Sequence, residues 1–188
     1  MLIKACLNGG TSRSQRPSVP QTPGELAAEA VAAVRAGAGA VHLYPRDPSG
    51  AETLDAEAVL AAVAAVRAAV PATPVGVTTG LWAAGGDRGR RMAQVSRWTG
   101  DGTPDFASVN LSEPGADELA EKLGELGVAV EAGVWSAADA DELAASDFGA
   151  HVLRILIEPH DEAPEAAVAV AADVEAALDR WPPGQWKR

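Results

Sequence analysis

The chain has 188 residues, a length suited to about one domain. Its 26 acidic and 15 basic residues leave a formal net charge of −11, which argues against a surface built to neutralise nucleic-acid phosphates. The single cysteine, Cys6, excludes an intramolecular disulfide and any zinc cluster made of cysteines, and no stretch reaches the roughly 18 uninterrupted apolar residues of a membrane span.

Hydrophobic residues make up 47% of the sequence, but 41 residues are alanine, so Ala-rich helices packed closely on a sheet richer in Val and Ile are expected. The first β-type run is Leu2 to Leu7. Thr22-Pro23 then reads as an N-cap with proline at the first helical position, opening a helix that runs to Gly37. Ala40 to Tyr44 is the second strand, and Asp55 caps a helix carrying Val59, Val63, Val66 and Val70 on one face. Pro74 to Thr79 is the third strand. Residues 86–98 read as weakly helical, with the Arg-rich segment 84–91 as a mobile loop or a place to neutralise a phosphate. Asp105 to Leu111 is the fourth strand, Ala116 to Leu126 a helix closed by Gly127, and Val128 to Val134 the fifth strand. Ser136 caps the next helix. His151 to Ile157 is the sixth strand, Glu162 to Leu178 the last helix, and residues 179–188 a tail without barrel character.

Six strand–helix units with short connections imply a parallel α/β sheet. Two architectures compete: a doubly wound open sheet and a TIM-type (β/α) barrel. The first turn, Asn8-Gly9-Gly10-Thr11-Ser12, lacks the G-x-G-x-x-G pattern of a dinucleotide fold. Polar residues stand at the C-terminal end of nearly every strand, among them Asn8, His42, Arg46, Thr78, Thr79, Ser108, Asn110, Glu131 and Glu158. Barrel enzymes assemble their sites on that rim, so an incomplete barrel of about six of eight units, spanning residues 1–178, is expected.

The richest stretch is Val41-His42-Leu43-Tyr44-Pro45-Arg46-Asp47. Residues i and i+2 of a strand share a face, so His42 and Tyr44 point together. A neutral imidazole there serves either as a zinc ligand or as a partner for a neighbouring carbonyl. Arg46 either binds an anionic group or pairs with Asp47. Glu158-Pro159-His160-Asp161-Glu162 reads as a solvated loop.

The segments ACLNGG (5–10), VHLYPRDPSGAETL (41–54), VGVTTG (75–80), PDFASVNLSEPGA (104–116), VEAGVW (130–135) and RILIEP (154–159) together resemble the β-keto acid cleavage enzymes. That family includes the 3-keto-5-aminohexanoate cleavage enzyme, and the likeness runs in order over residues 1–178. It implies a zinc-dependent TIM barrel that transfers a two-carbon unit between a β-keto acid and acetyl-CoA, giving acetoacetate and a new acyl-CoA. By resemblance, the metal motif His-x-His-x-Arg-Asp falls on His42, Tyr44, Arg46 and Asp47, with Tyr44 where the second His is expected. A phenol is a poorer zinc ligand than an imidazole because its proton leaves only near pH 10. The resemblance further assigns catalytic parts to Glu131, Thr79 and Ser108. It assigns substrate contacts to Asn8, Arg46, Thr78, Gly80 and Asn110. The family's late-strand Gly-hydrophobic-Glu-Asp segment has no counterpart after residue 178.

The expected partners are therefore a small-molecule β-keto acid and acetyl-CoA, without nucleic acid or membrane, in a cytoplasmic homo-oligomer. The alternative expectation is a catalytically silent, shortened barrel acting as a binding or oligomer-forming protein.

Overall fold

A computed structural model describes residues 2–146, 152–159 and 163–181. The elements are β1 (Lys4–Cys6), α1 (Pro23–Arg35), β2 (Ala40–Leu43), α2 (Ala56–Ala69), β3 (Val75–Thr78), α3 (Arg88–Val95), β4 (Phe106–Asn110), α4 (Ala116–Glu125), β5 (Ala129–Val134), α5 (Ala137–Ala145), β6 (Arg154–Ile157) and α6 (Pro164–Leu178). A 3₁₀ turn at Leu81–Ala84 follows β3. His151 and Glu162, expected to open the sixth strand and last helix, lie outside the described residues, as do His160 and Asp161.

Local chemistry explains the helix starts. Thr22 accepts a hydrogen bond from the Glu25 amide, Glu25 reaches back to the Thr22 amide, and Pro23 fills the first turn. Asp55 caps α2 through the Glu57 amide, and Ser136 and Asp139 form a reciprocal box at α5. Asp87 accepts from the Arg90 amide and starts a real helix, α3, within the segment expected to be weakly helical.

All six strands are parallel and pair in the order β1-β2-β3-β4-β5-β6. A doubly wound sheet reverses its winding at a switch point, and this order has none. Crossovers of one hand without reversal put every helix on one side, which is the barrel arrangement. The alternation within the strands agrees. Val41, Leu43, Val75, Val77, Ala107 and Val109 face Val59, Val63, Val66, Leu119 and Leu123 of the helices in one buried apolar cluster. A second cluster joins Ala132 and Val134 to Leu143, Val174, Leu178 and Trp181. Trp181, assigned to the tail in the sequence reading, is thus buried against α5 and α6.

The other face of the sheet is concave and polar. Lys4 on β1 reaches Glu131 on β5 at 2.5 Å, although β2, β3 and β4 lie between them in the sheet. Only a strongly curled sheet brings those strands together. The described residues therefore form an incomplete TIM-type barrel of six strand–helix units.

Candidate active site

The strand register sets the inner face layer by layer. Cys6, His42, Gly76 and Phe106 are successive partners across β1 to β4, and Thr78, Ser108, Glu131 and Arg154 across β3 to β6. Phe106 forms the floor. Its ring fills the space beside Gly76, and the Lys4 Nζ and Arg154 guanidinium lie 5.8 and 5.1 Å from its centroid.

Above that floor, toward the C-terminal ends of the strands, is a cavity of about 250 Å³. It is lined by His42, Tyr44, Thr78, Ser108, Asn110 and Glu158, all named from the sequence, together with Lys4, Cys6, Gly10 and Trp82. The His42 and Tyr44 rings meet edge-on with centroids 5.3 Å apart. His42 is 2% exposed and its Nδ1 has no hydrogen-bond partner. Burial, helped by the Lys4 charge, pushes its imidazole down to about 3, so the ring is neutral near pH 7. Burial first, then the charges of Cys6, Glu158 and Glu52, push the Tyr44 phenol up to about 12, so it keeps its proton. Burial also raises the Cys6 thiol.

The other residues named from the sequence sit around the cavity as supports. Asn8 clamps β1 to the end of β2, donating to the Tyr44 carbonyl at 2.7 Å and accepting from the Tyr44 amide at 2.9 Å. Thr79 donates to the Ser108 carbonyl at 2.5 Å, and Gly80 leaves room for the Trp82 indole, which a Cβ at position 80 would approach to 2.3 Å. Arg46 is used internally. It donates to the Gly9 carbonyl at 2.5 Å and lies 3.5 Å from Glu52, so it pins the β1 loop to a small hairpin closed by the Arg46–Glu52 bridge. Asp47 builds the turn of that hairpin by accepting from Ser49 and the Ala51 amide, rather than pairing with Arg46. Glu52 also accepts from the Trp82 indole at 2.7 Å, joining the hairpin to the 3₁₀ turn over the mouth. Glu131 is completely buried. Lys4 bonds one oxygen, Ser108 donates to the same oxygen at 3.2 Å, and Arg154 Nε sits 3.0 Å from the other as an ion pair.

Sequence reasoning missed two groups. Lys4 and Cys6 follow the same i, i+2 rule as His42 and Tyr44, and their register with β2 puts them on the same face. Arg91, read as part of an exposed basic loop or a phosphate contact, is 2% exposed. It binds Glu113 and the Pro114 carbonyl, and Glu113 also accepts from Asn110 at 2.7 Å and from the Leu81 amide at 2.9 Å. This network anchors the 3₁₀ turn and Asn110 behind the cavity. Its neighbour Arg88 pairs with Glu118 at the surface.

Zinc needs three or four protein ligands. His42 supplies one of suitable chemistry, a neutral, buried imidazole with an unpartnered nitrogen. Tyr44 does not, because its phenol stays protonated. Among the described residues no three His, Cys, Asp or Glu side chains gather closely enough to hold a metal ion. These residues do not by themselves build a zinc centre, and no step below is routed through one.

Comparison with known proteins places this site in context. A sequence model of one protein family, described as beta-keto acid cleavage enzyme, matches residues 1–146. The 3-keto-5-aminohexanoate cleavage enzyme of Fusobacterium nucleatum subsp. nucleatum is 33% identical over 81 residues, covering 43% of this chain and 30% of that protein. Among solved structures, the apo structure of ObcA superposes with a TM-score of 0.65 at 19% identity, over 87% of this chain and 48% of the other. A phosphonomutase-like structure from Burkholderia cenocepacia J2315 gives 0.60 at 19% identity, over 94% and 69%. At such identities these two show a shared fold. The chain spans under a third of the Fusobacterium protein in that match and about half of ObcA.

Proposed function

The chain belongs to the beta-keto acid cleavage enzyme family, and from that membership we propose that it cleaves a small β-keto acid in the cavity at the C-terminal edge of its sheet. The observation that carries the reading is the convergence of His42, Tyr44, Thr78, Ser108 and Asn110 from three adjacent strands on one polar cavity. Breaking the carbon–carbon bond of a β-keto acid develops enolate charge on an oxygen, and fixed donors in a water-poor site stabilise it. The Tyr44 phenol, which keeps its proton, is suited to donate to that oxygen. Thr78 Oγ1 accepts from the Gly80 amide at 3.1 Å, which leaves its own O–H to donate elsewhere. Arg46 and Glu52 tie the loop after β1 and the 3₁₀ turn carrying Trp82 to the hairpin beside the cavity.

Transfer of the two-carbon unit to acetyl-CoA, with acetoacetate and an acyl-CoA as products, is the finer form of the proposal, supported by the family resemblance. Zinc would need two or more ligands besides His42, and the described residues do not supply them, so no part of the proposal runs through the metal. Assembly as a homo-oligomer is supported by the edges of the described sheet, β1 and β6, next to exposed Leu2, Ile3 and Leu153. A cytoplasmic location fits the single cysteine. No helix among the described residues is long and apolar enough to cross a membrane.

The test is incubation with acetyl-CoA and a series of β-keto acids, with acetoacetate and the new acyl-CoA followed by mass spectrometry. Turnover is expected, falling about tenfold or more in Tyr44→Phe and Thr78→Val. Absence of products from every keto acid, in protein whose circular dichroism is that of a folded α/β chain, would favour the second reading. In that reading the chain is a silent barrel that binds or assembles, with Arg46 and Glu131, which have site roles by resemblance, tied up in internal contacts.

A further inference from the structure

We propose that Lys4 captures the ketone of a β-keto acid as a Schiff base in this cavity, giving the chain a route to decarboxylation that uses its own amine. The inference rests on the keto-acid reading of the site and goes beyond it. Lys4 is one of three lysines in the sequence, with Lys122 and Lys187. It rises from the inner face of β1, its side chain is only 15% exposed, and it lines the cavity beside Tyr44, Thr78 and Ser108. Lys122 instead pairs with Glu125 on the surface of α4.

A lysine adds to a ketone only as the free amine, a form favoured by desolvation and by a neighbouring cation; the Lys4 side chain is largely buried and shares Glu131 with the Arg154 guanidinium. Glu131 Oε2 is 2.5 Å from Nζ. Glu131 is fully buried, and Ser108 and Arg154 hold it in place. Ser108 Oγ both touches Glu131 and lines the cavity, so it connects the carboxylate to the bound ketone. Phe106 closes the space beneath.

The steps balance with water as the one co-reactant. The Nζ lone pair attacks the ketone carbon, a C–N bond forms, and the carbonyl oxygen takes up a proton. That oxygen leaves as water, giving a protonated imine. The bond from the α-carbon to the carboxylate then breaks, its electron pair moves toward the iminium nitrogen, and CO₂ departs. The resulting enamine takes a proton at carbon, and hydrolysis returns a ketone and free Lys4. An iminium accepts electrons as a Lewis acid would, so the amine of Lys4 itself supplies the electron sink.

The experiment adds acetoacetate to the full chain, reduces the mixture with sodium borohydride and maps the peptides by mass spectrometry. The Lys4 peptide is expected to gain the mass of acetoacetic acid, or of its decarboxylated ketone, less one oxygen. Lys4→Arg keeps a cation facing Glu131 and is expected to lose the adduct entirely. It is also expected to lose about tenfold or more of the CO₂ release above buffer. Labelling of Lys122 to the same extent as Lys4 would overturn the inference. So would an unlabelled Lys4 in protein shown by saturation-transfer NMR to bind acetoacetate. If Lys4→Arg keeps full acetyl-CoA-dependent turnover and the wild type gives no adduct, the Schiff base falls while the cleavage reading stands. If no β-keto acid binds or turns over, both fall.

Discussion

Gly76 and Phe106 are register partners on β3 and β4, and the phenyl ring occupies the volume a side chain at position 76 would need. A Cβ at Gly76 would lie 1.9 Å from the ring. The glycine is required here by close approach rather than by backbone angle. Phe106 also carries the Lys4 and Arg154 cations above it, so moving the ring disturbs the cavity floor. Gly76→Ala is expected to destabilise by about 1–3 kcal/mol through overpacking. Phe106→Leu in the same chain should recover part of that loss. Urea denaturation of the single and double variants measures this, and strictly additive costs would show that the two positions do not compete for space.

Glu131 stands between two cations, so its removal and theirs are not equivalent. Glu131→Gln leaves Lys4 and Arg154 facing each other around a neutral amide. Breaking a buried pair from that side costs about 3–5 kcal/mol. Lys4→Met leaves Glu131 still beside Arg154 and is expected to cost less. Chemical denaturation of both variants checks the order, and a larger loss for Lys4→Met would mean that Lys4 packing outweighs the charge.

The strands and helices were legible in the sequence because their periods are unmixed. Val41, Leu43, Val75 and Val77 pack on the helices, while Val59, Val63 and Val66 recur at helical spacing. The preference for a barrel came from polar strand ends, and the unreversed strand order agrees with it. His42, Tyr44, Thr78, Ser108 and Asn110 share a cavity because each sits on the inner face or at the end of an adjacent strand. What periodicity could not tell was which polar groups would be consumed by structure. In the sequence Arg46 has Asp47 as its apparent partner or an anion to bind, and Arg91 reads as exposed, but their partners, Glu52 and the Gly9 carbonyl for one and Glu113 for the other, are set by tertiary contacts. The i, i+2 spacing of Lys4 and Cys6 puts them on one face, but the carboxylate that holds Lys4 lies 127 residues away and only the curled sheet brings it near.

The start of α1 predicts an acid-sensitive step. Glu25 accepts backbone hydrogen bonds from Thr22 and Gln21 and pairs with Arg13, and these hold its carboxyl down at about 2 against an ordinary 4.5. A carboxyl whose folded value lies below its unfolded value stabilises the fold above about 4.5, and that contribution fades as the pH falls toward 2. Glu25 is exposed, so the effect is modest and salt-sensitive. Glu25→Gln should flatten this part of the stability profile. Thermal denaturation from pH 6 down to 2 compares the slopes, and parallel profiles for parent and variant would remove Glu25 from the account.

Tyr44 lies two residues beyond His42 and lines the same cavity, with its ring 5.3 Å from the imidazole. An imidazole at position 44 would place two neutral donors on one strand end, beside the Cys6 thiol and the Glu158 carboxylate that also line the cavity. The parent phenol cannot play that part near neutral pH, since burial holds its proton to about 12. Tyr44→His is therefore expected to raise zinc affinity by about tenfold or more, because each added neutral imidazole is a far better ligand than a protonated phenol. Elemental analysis of dialysed parent and variant, followed by zinc titration calorimetry, measures the gain. Equal zinc content in the two would mean that position 44 does not govern metal binding. A gain abolished by His42→Ala would locate the ion at this pair of strand-end residues rather than at an adventitious surface site.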